Sequence, residues 1–324
     1  MLIGAIHQEP DMTHRLITFF LLCATALPLC ALAEDKPVAP GRTIIASDSS
    51  KKTVAMIDAE GQILWKRQIG PLHDLHLLEN GNVLLQLNWT HIVEINPKTD
   101  EIVWEFKCTP TEGVKRIEIH AFQRLADGNT MIAESGNTRI IEVDKDGTII
   151  KTIPLKVAKR NAHRDTRLAR KLDSGHYLVA HEGDGVCREY NKEGKVVWEY
   201  EVPLFGKQRK GGHGPEAFGN QLFGVLRLDN GNTLIGTGNG HRVIEVTPEK
   251  KIVWMLTPED LDGIELAWIT SLQVLKNGNI VLGNCHAGPN NPQIIEVDRD
   301  KNVVWSFKDF DRFGNALTNS VVIE

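Results

Sequence analysis

A single phrase recurs along this chain, and its period limits what the chain can fold into. An apolar run ending in leucine leads to a polar-Gly-polar turn, and a second apolar run follows. The glycines of the phrase are Gly81, Gly128, Gly175, Gly231 and Gly278, spaced by 47 residues except for one interval of 56. Leu78, Leu125, Leu172, Leu228 and Leu275 each precede their glycine by three positions. No long amphipathic helical stretch interrupts the pattern, so the repeat is one of strands.

Each unit carries four short runs rich in Val, Ile, Leu and Thr. Asn-Gly or Asp-Gly between the first two predicts a type I′ hairpin, whose central residues both need positive φ. A second turn, such as Asp144-Lys145-Asp146-Gly147, comes before the last run. That run ends in Trp104, Trp198, Trp254 or Trp305 in four of the units. The simplest role for these tryptophans is packing between neighbouring units. Four antiparallel strands in about 40–50 residues describe one blade of a β-propeller.

Five complete units span 73–108, 117–154, 163–203, 222–257 and 270–308. Residues 43–70 supply only three strands, and Ser320-Val321-Val322-Ile323-Glu324 reads as the missing first one. The expected fold is therefore all-β, a six-bladed propeller of four-stranded antiparallel blades. The C-terminal strand joins the N-terminal blade and closes the ring, removing an open sheet edge.

Ahead of the propeller, Met12-Thr13-His14-Arg15 gives a basic start and Leu16 to Cys30 is apolar. Ala31-Leu32-Ala33 then supplies a small-residue cleavage pattern. This divides the chain into an export signal (1–33, with Met12 as the expected initiator), a flexible lead-in (34–41) and one propeller domain (42–324). The apolar run is too short for a transmembrane anchor, and bulky Leu29 disfavours lipid attachment at Cys30. A periplasmic or secreted protein is expected. Cys108, Cys187 and Cys285 are odd in number and share no metal-like spacing, so neither a disulfide framework nor a zinc site is read from them. The net charge of −5 gives no reason to expect nucleic acid, and a monomer is expected.

Strand order fixes which loops share a face. Loops leading into the first strand of each unit and loops after the second lie together, opposite the Asn-Gly turns. Eight of the ten histidines beyond residue 33 fall on that face; His76 and His176 do not. Eight residues before each glycine stand His73, His120, Arg167, Phe223 and Thr270. Thr318 is the sixth when Ile323 is aligned with Leu78, and these six should ring the channel mouth. The insertion Lys207-Gln208-Arg209-Lys210-Gly211-Gly212-His213-Gly214 reads as a basic stretch able to lid that mouth, or as a solvated loop. Arginine can hold an oxyanion through two parallel hydrogen bonds, and neutral imidazole can act as nucleophile or base. His120, His163 and Arg167 are therefore the candidate catalytic residues. His73, Glu134, His181, Glu182, His213, His241 and His286 are the candidate ligand-binding ones. No metal ligand is assigned, although mixed His and carboxylate loops could hold a divalent ion; no cofactor is specified.

The blade phrase, read in Asp58-Ala59-Glu60-Gly61-Gln62-Ile63-Leu64-Trp65 and Asn191-Lys192-Glu193-Gly194-Lys195-Val196-Val197-Trp198, resembles the repeat of pyrroloquinoline-quinone-type propellers. This resemblance covers nearly the whole mature chain and bears on the fold. The eight blades and adjacent cysteine pair of quinone dehydrogenases are not found here. His73-Asp74-Leu75 leading to Asn80-Gly81-Asn82 also resembles bacterial arylsulfate sulfotransferases, which are exported six-bladed propellers. That likeness implies sulfuryl transfer through a covalent histidine intermediate, with His73, His120, His163 and Arg167 as positional counterparts. The family's doubled histidine is single here. The expected function is binding of a small anionic or carbohydrate ligand in a His/Arg-rich funnel, with group-transfer catalysis as one form. The other form is a non-catalytic module that presents the same face to a glycan or a protein.

Overall fold

In the computed structural model the described residues are 41–324, and they form six four-stranded antiparallel sheets. The proposed export segment lies outside the described residues. The first sheet contains Ile44–Asp48, Thr53–Ile57, Ile63–Gln68 and the tail strand Leu317–Val322. The tail pairs antiparallel with Ile44–Asp48, so the ring closes as the sequence implies. The other five blades each run from an inner to an outer strand in chain order; the third, for example, is Glu118–Arg124, Thr130–Ser135, Arg139–Val143 and Ile149–Pro154.

The turn between the first two strands differs from the type I′ expectation. Gly81 has φ +81° and donates its N–H to Leu78 O, while Leu78 N–H bonds Asn82 O. Only the glycine is left-handed; Asn80 keeps a negative φ. The loop is one residue longer than a two-residue hairpin, a type I turn followed by a left-handed glycine. Asp or Asn before the glycine caps the turn with its side chain instead, as Asn80 Oδ1 does for Asn82 N–H.

Apolar side chains fill the spaces between adjacent sheets rather than one central core. Ile45, Val54, Leu75, Leu85 and Val93 bring the first two blades together, and fully burying each such side chain contributes about 1.5–3 kcal/mol. The outer tryptophans do join neighbours, through a hydrogen bond as well as a ring. Trp65 Nε1 donates to Asp100 Oδ1 (2.9 Å), Trp104 to Lys145 O (3.1 Å), Trp198 to Pro248 O (2.9 Å) and Trp254 to Arg299 O (2.9 Å). An arginine lies over three of these rings: Arg124 on Trp104, Arg227 on Trp198 and Arg299 on Trp254. Each of those arginines also pairs with a third-strand glutamate, Glu94, Glu189 or Glu245. The repeat thus encodes its own inter-blade fastening.

A second device aims side chains at the axis. The pairing register slips between Ile119 and Ala121, between Ile269 and Leu272, and opposite the step from Ser47 to Asp48. The unpaired residues there include His120, Thr270 and Thr318, three of the six proposed ring positions. A β-bulge turns its extra residue out of the alternation, which is how these side chains come to face the channel.

Candidate functional site

Among the cavities bounded by loops leading into inner strands and loops after second strands, one of about 230 Å³ lies at the ring positions. His73, Arg167, Phe223, Thr270 and Thr318 line it, together with Trp89, His163, His213, Trp268 and His286. Five of the six ring positions therefore face one space, and His120 lies directly beneath. The 207–214 insertion is held by paired backbone bonds between Lys210 and Phe218, and it delivers His213 against Trp268 (ring centroids 4.5 Å).

At the floor, Arg167 and the histidines of three blades meet. Arg167 is almost wholly buried and pairs through Nε with Glu182. Its Nη1 donates to His73 Nδ1 at 2.7 Å. His120 Nδ1 lies 2.6 Å from that same His73 nitrogen. A guanidinium can only donate, so His73 Nδ1 is the acceptor and His120 Nδ1 carries the proton of the second bond. Burial, followed by the Arg167 charge, keeps His73 well below the ordinary imidazole value and pushes His120 down to about 3. Both rings are neutral at physiological pH. Trp89 closes one wall with its edge against His73, His120 and His163, at centroid distances of 5.0, 5.2 and 5.7 Å. Arg167 also lies over the Phe223 ring at 5.5 Å, a cation–π contact that helps hold a desolvated charge.

His163 is the most accessible of the group, and its Nδ1 lies 2.7 Å from Glu118 Oε2. Glu118 is fully buried, also contacts Arg116, and carries no obvious motif in the sequence. Its signal was its place two residues before His120, on the far side of a bulge that sequence alone does not reveal. Trp89 and Trp268 were likewise missed. Trp89 lies in the loop after a second strand and Trp268 opens the inner strand Trp268–Val274, and neither belongs to the outer-strand tryptophan series. Glu182 joins the site through Arg167 and also accepts from Gln221 Nε2 at 3.1 Å.

Three expected ligand-binding residues lie apart from the cavity. Glu134 is engaged by Arg139 and Asn137. His181 is fully buried between Asp165 O (2.6 Å) and the Tyr190 hydroxyl (2.8 Å), and burial lowers it to about 4. His241 has φ +57° and faces Phe218. All three occupy the same loop face, but Glu134 and His181 close second strands and His241 lies in the turn after one, and their partners hold them away from the axis.

The family model described as "Outer membrane protein assembly factor BamB" matches residues 50–307. No curated protein sequence matches. Among solved structures, a protein of unknown function from Bacteroides caccae is 20% identical with a TM-score of 0.72, covering 88% of this chain and 98% of its own. A catalytically inactive virginiamycin B lyase from Staphylococcus aureus, solved with quinupristin, is 11% identical with a TM-score of 0.56 (86% and 88% covered). The WD40 propeller of Doa1 is 15% identical with a TM-score of 0.54 (84% and 77% covered). At these identities the likeness is one of fold.

Proposed function

The chain belongs to the outer membrane protein assembly factor BamB family, and from that premise we propose that its channel binds a small ligand bearing an anionic group on an apolar or aromatic body. The carrying observation is the buried Arg167 guanidinium at the floor of an aromatic-walled cavity. Charge supports the reading: Arg167 shares its carboxylate, Glu182, with Arg164. Trp89, Phe223 and Trp268 supply flat apolar walls. The cavity of about 230 Å³ is moderately larger than the roughly 150 Å³ that accommodates benzene. An aryl sulfate, aryl carboxylate or single acidic sugar suits it, and a longer glycan could insert only its end.

His163, oriented by Glu118 and open to the cavity, is the group placed to act as base or nucleophile on such a ligand, with Arg167 on the oxyanion. The protein is exported to the periplasm or beyond, a reading supported by the segment at 12–33. Among the described residues no helix is long and apolar enough to cross a membrane.

Thermal shift and calorimetry with 4-nitrophenyl sulfate, 4-nitrobenzoate, glucuronate and their neutral counterparts test the reading. Anions should stabilise the wild type, and Arg167→Lys, which keeps the charge but loses the planar fork, should bind them at least about tenfold more weakly. Equal stabilisation by neutral compounds, or an unaltered response in Arg167→Lys, would refute it. Turnover of the sulfate ester that disappears in His163→Asn while binding persists would establish the catalytic form.

A second reading, a protein-binding rim, is favoured by one observation. Each outer strand begins with exposed apolar side chains, among them Leu64 (54%), Val103 (53%), Ile150 (52%) and Val253 (55%). A Leu64→Lys, Val103→Lys, Val253→Lys variant should keep the anion response; loss of association with membrane-fraction proteins would support the rim, and unchanged association would exclude it.

A further inference from the structure

We propose that Glu118, His120 and His163 form a three-ligand site for a divalent transition metal, with its open position facing the cavity. Among the described residues this is the group whose ligating atoms, one from each, lie within 4.8 Å of one another. The proposal rests on the cavity reading above in one respect only, that the open position is where the anionic group would bind.

The hydrogen-bond chain supplies the second, independent observation. Arg167 donates to His73 Nδ1, so His120 must donate from Nδ1 and holds a lone pair on Nε2. That nitrogen is buried without a hydrogen-bond partner. It faces Glu118 Oε2, an anionic acceptor, at 3.2 Å. Two acceptors this close repel unless a cation lies between them. A proton there would make His120 an imidazolium with the Arg167 guanidinium 3.4 Å from its other nitrogen, placing like charges against each other. A metal ion satisfies the same contact through the lone pair already presented.

His163 completes the set. Its Nδ1 lies 2.7 Å from Glu118 Oε2. Metal binding would shift its proton to Nε2 on a ring whose side chain is 43% exposed, so the new tautomer is solvated, and the metal-bound ring would give up the base or nucleophile role of the metal-free one. Metal–ligand bonds of about 2.1 Å set donor–donor separations of about 3.4 Å around a tetrahedron, and the observed separations need small outward shifts to reach that. Arg116 occupies the other oxygen, Glu118 Oε1, which leaves Oε2 as a single, oriented donor. Two imidazoles and one carboxylate with a fourth position open is a donor set suited to Zn²⁺, and also to Mn²⁺ or Fe²⁺. The all-oxygen preference of Mg²⁺ and Ca²⁺ is not met.

The test uses untagged mature protein, stripped with chelator and titrated calorimetrically with Zn²⁺, Mn²⁺ and Mg²⁺ alone. One Zn²⁺ or Mn²⁺ per chain is expected, together with a rise in thermal midpoint and no response to Mg²⁺. Glu118→Gln and His163→Asn should each weaken binding by at least about tenfold, while His91→Asn, at the separate surface pair with Glu105, leaves it unchanged. Co²⁺ added to wild type should give the visible absorption of a four-coordinate site, a readout that needs no variant to fold. No stoichiometric metal, or affinity indifferent to Glu118→Gln and His163→Asn, would overturn the proposal. Anion binding without metal would sink the metal site alone. Metal binding without any anion response would sink the ligand reading and leave the metal site standing.

Discussion

Acidification from pH 7 to pH 5 should cost this protein several kcal/mol, and the amount follows from two buried rings. His120 is lowered to about 3 and His181 to about 4, in both cases chiefly by burial. In the unfolded chain both revert to the ordinary imidazole value of about 6.5. Between the two values the unfolded state binds more protons than the folded one, so stability rises with pH there. The stability is fully present above about 6.5 and is lost as the pH falls toward the folded values. At pH 5 each ring costs about 1.5 pH units times 1.4 kcal/mol, or roughly 2 kcal/mol, and the two together roughly 4. His73, His213, His241 and His286 are lowered as well and act in the same direction. Asp165, raised by burial, opposes them but only near the carboxylate range. With about 2–4 °C lost per kcal/mol, the thermal midpoint should fall by about 8–15 °C. Differential scanning calorimetry at pH 7, 6 and 5 reads this directly. His181→Phe should be less stable at pH 7 yet show a pH slope smaller by about 1.4 kcal/mol per unit. A flat or rising stability between pH 7 and 5, or an unchanged slope in His181→Phe, would refute the placement of these rings as buried and neutral.

Other outcomes follow from the fold. Trp104→Phe keeps an aromatic ring but removes the Nε1–H···O bond to Lys145, so denaturant unfolding should show a loss of about 1 kcal/mol; no change would dismiss the inter-blade fastening. Gly238→Ala drives a Cβ into Gln221 O at φ +51°, and a loss of at least about 2 kcal/mol is expected in the same assay. Deleting 316–324 removes the strand paired with Ile44–Asp48, and circular dichroism with size-exclusion chromatography should show an unfolded or aggregated chain; a stable monomer would contradict ring closure.

The blades were legible because their signals are local. A hairpin glycine, its leucine and an outer tryptophan all act within one unit, and the period then multiplies them. Even the tail strand was found, because Thr318 stands where His73 does once Ile323 is matched to Leu78, and both line the cavity. The turn type was misjudged at Asn80, since a dipeptide does not specify loop length. The site was legible only in part. His73, His120 and Arg167 converge because they share a repeat position, whereas Glu118 and Trp89 reach the same point from irregular neighbours of that position. Glu134, His181 and His241 share the right face, but their direction is set by strand ends and a left-handed residue, not by spacing.

The central claim is that histidines from separate blades gather with Arg167 around one anion-binding cavity. A crystal structure of the protein with 4-nitrobenzoate tests it most directly. The carboxylate is expected within hydrogen-bond distance of Arg167, with the ring between Trp89, Phe223 and Trp268. Density for the ligand on the opposite, Asn-Gly-turn face, or a cavity filled only by water at saturating ligand, would contradict the account.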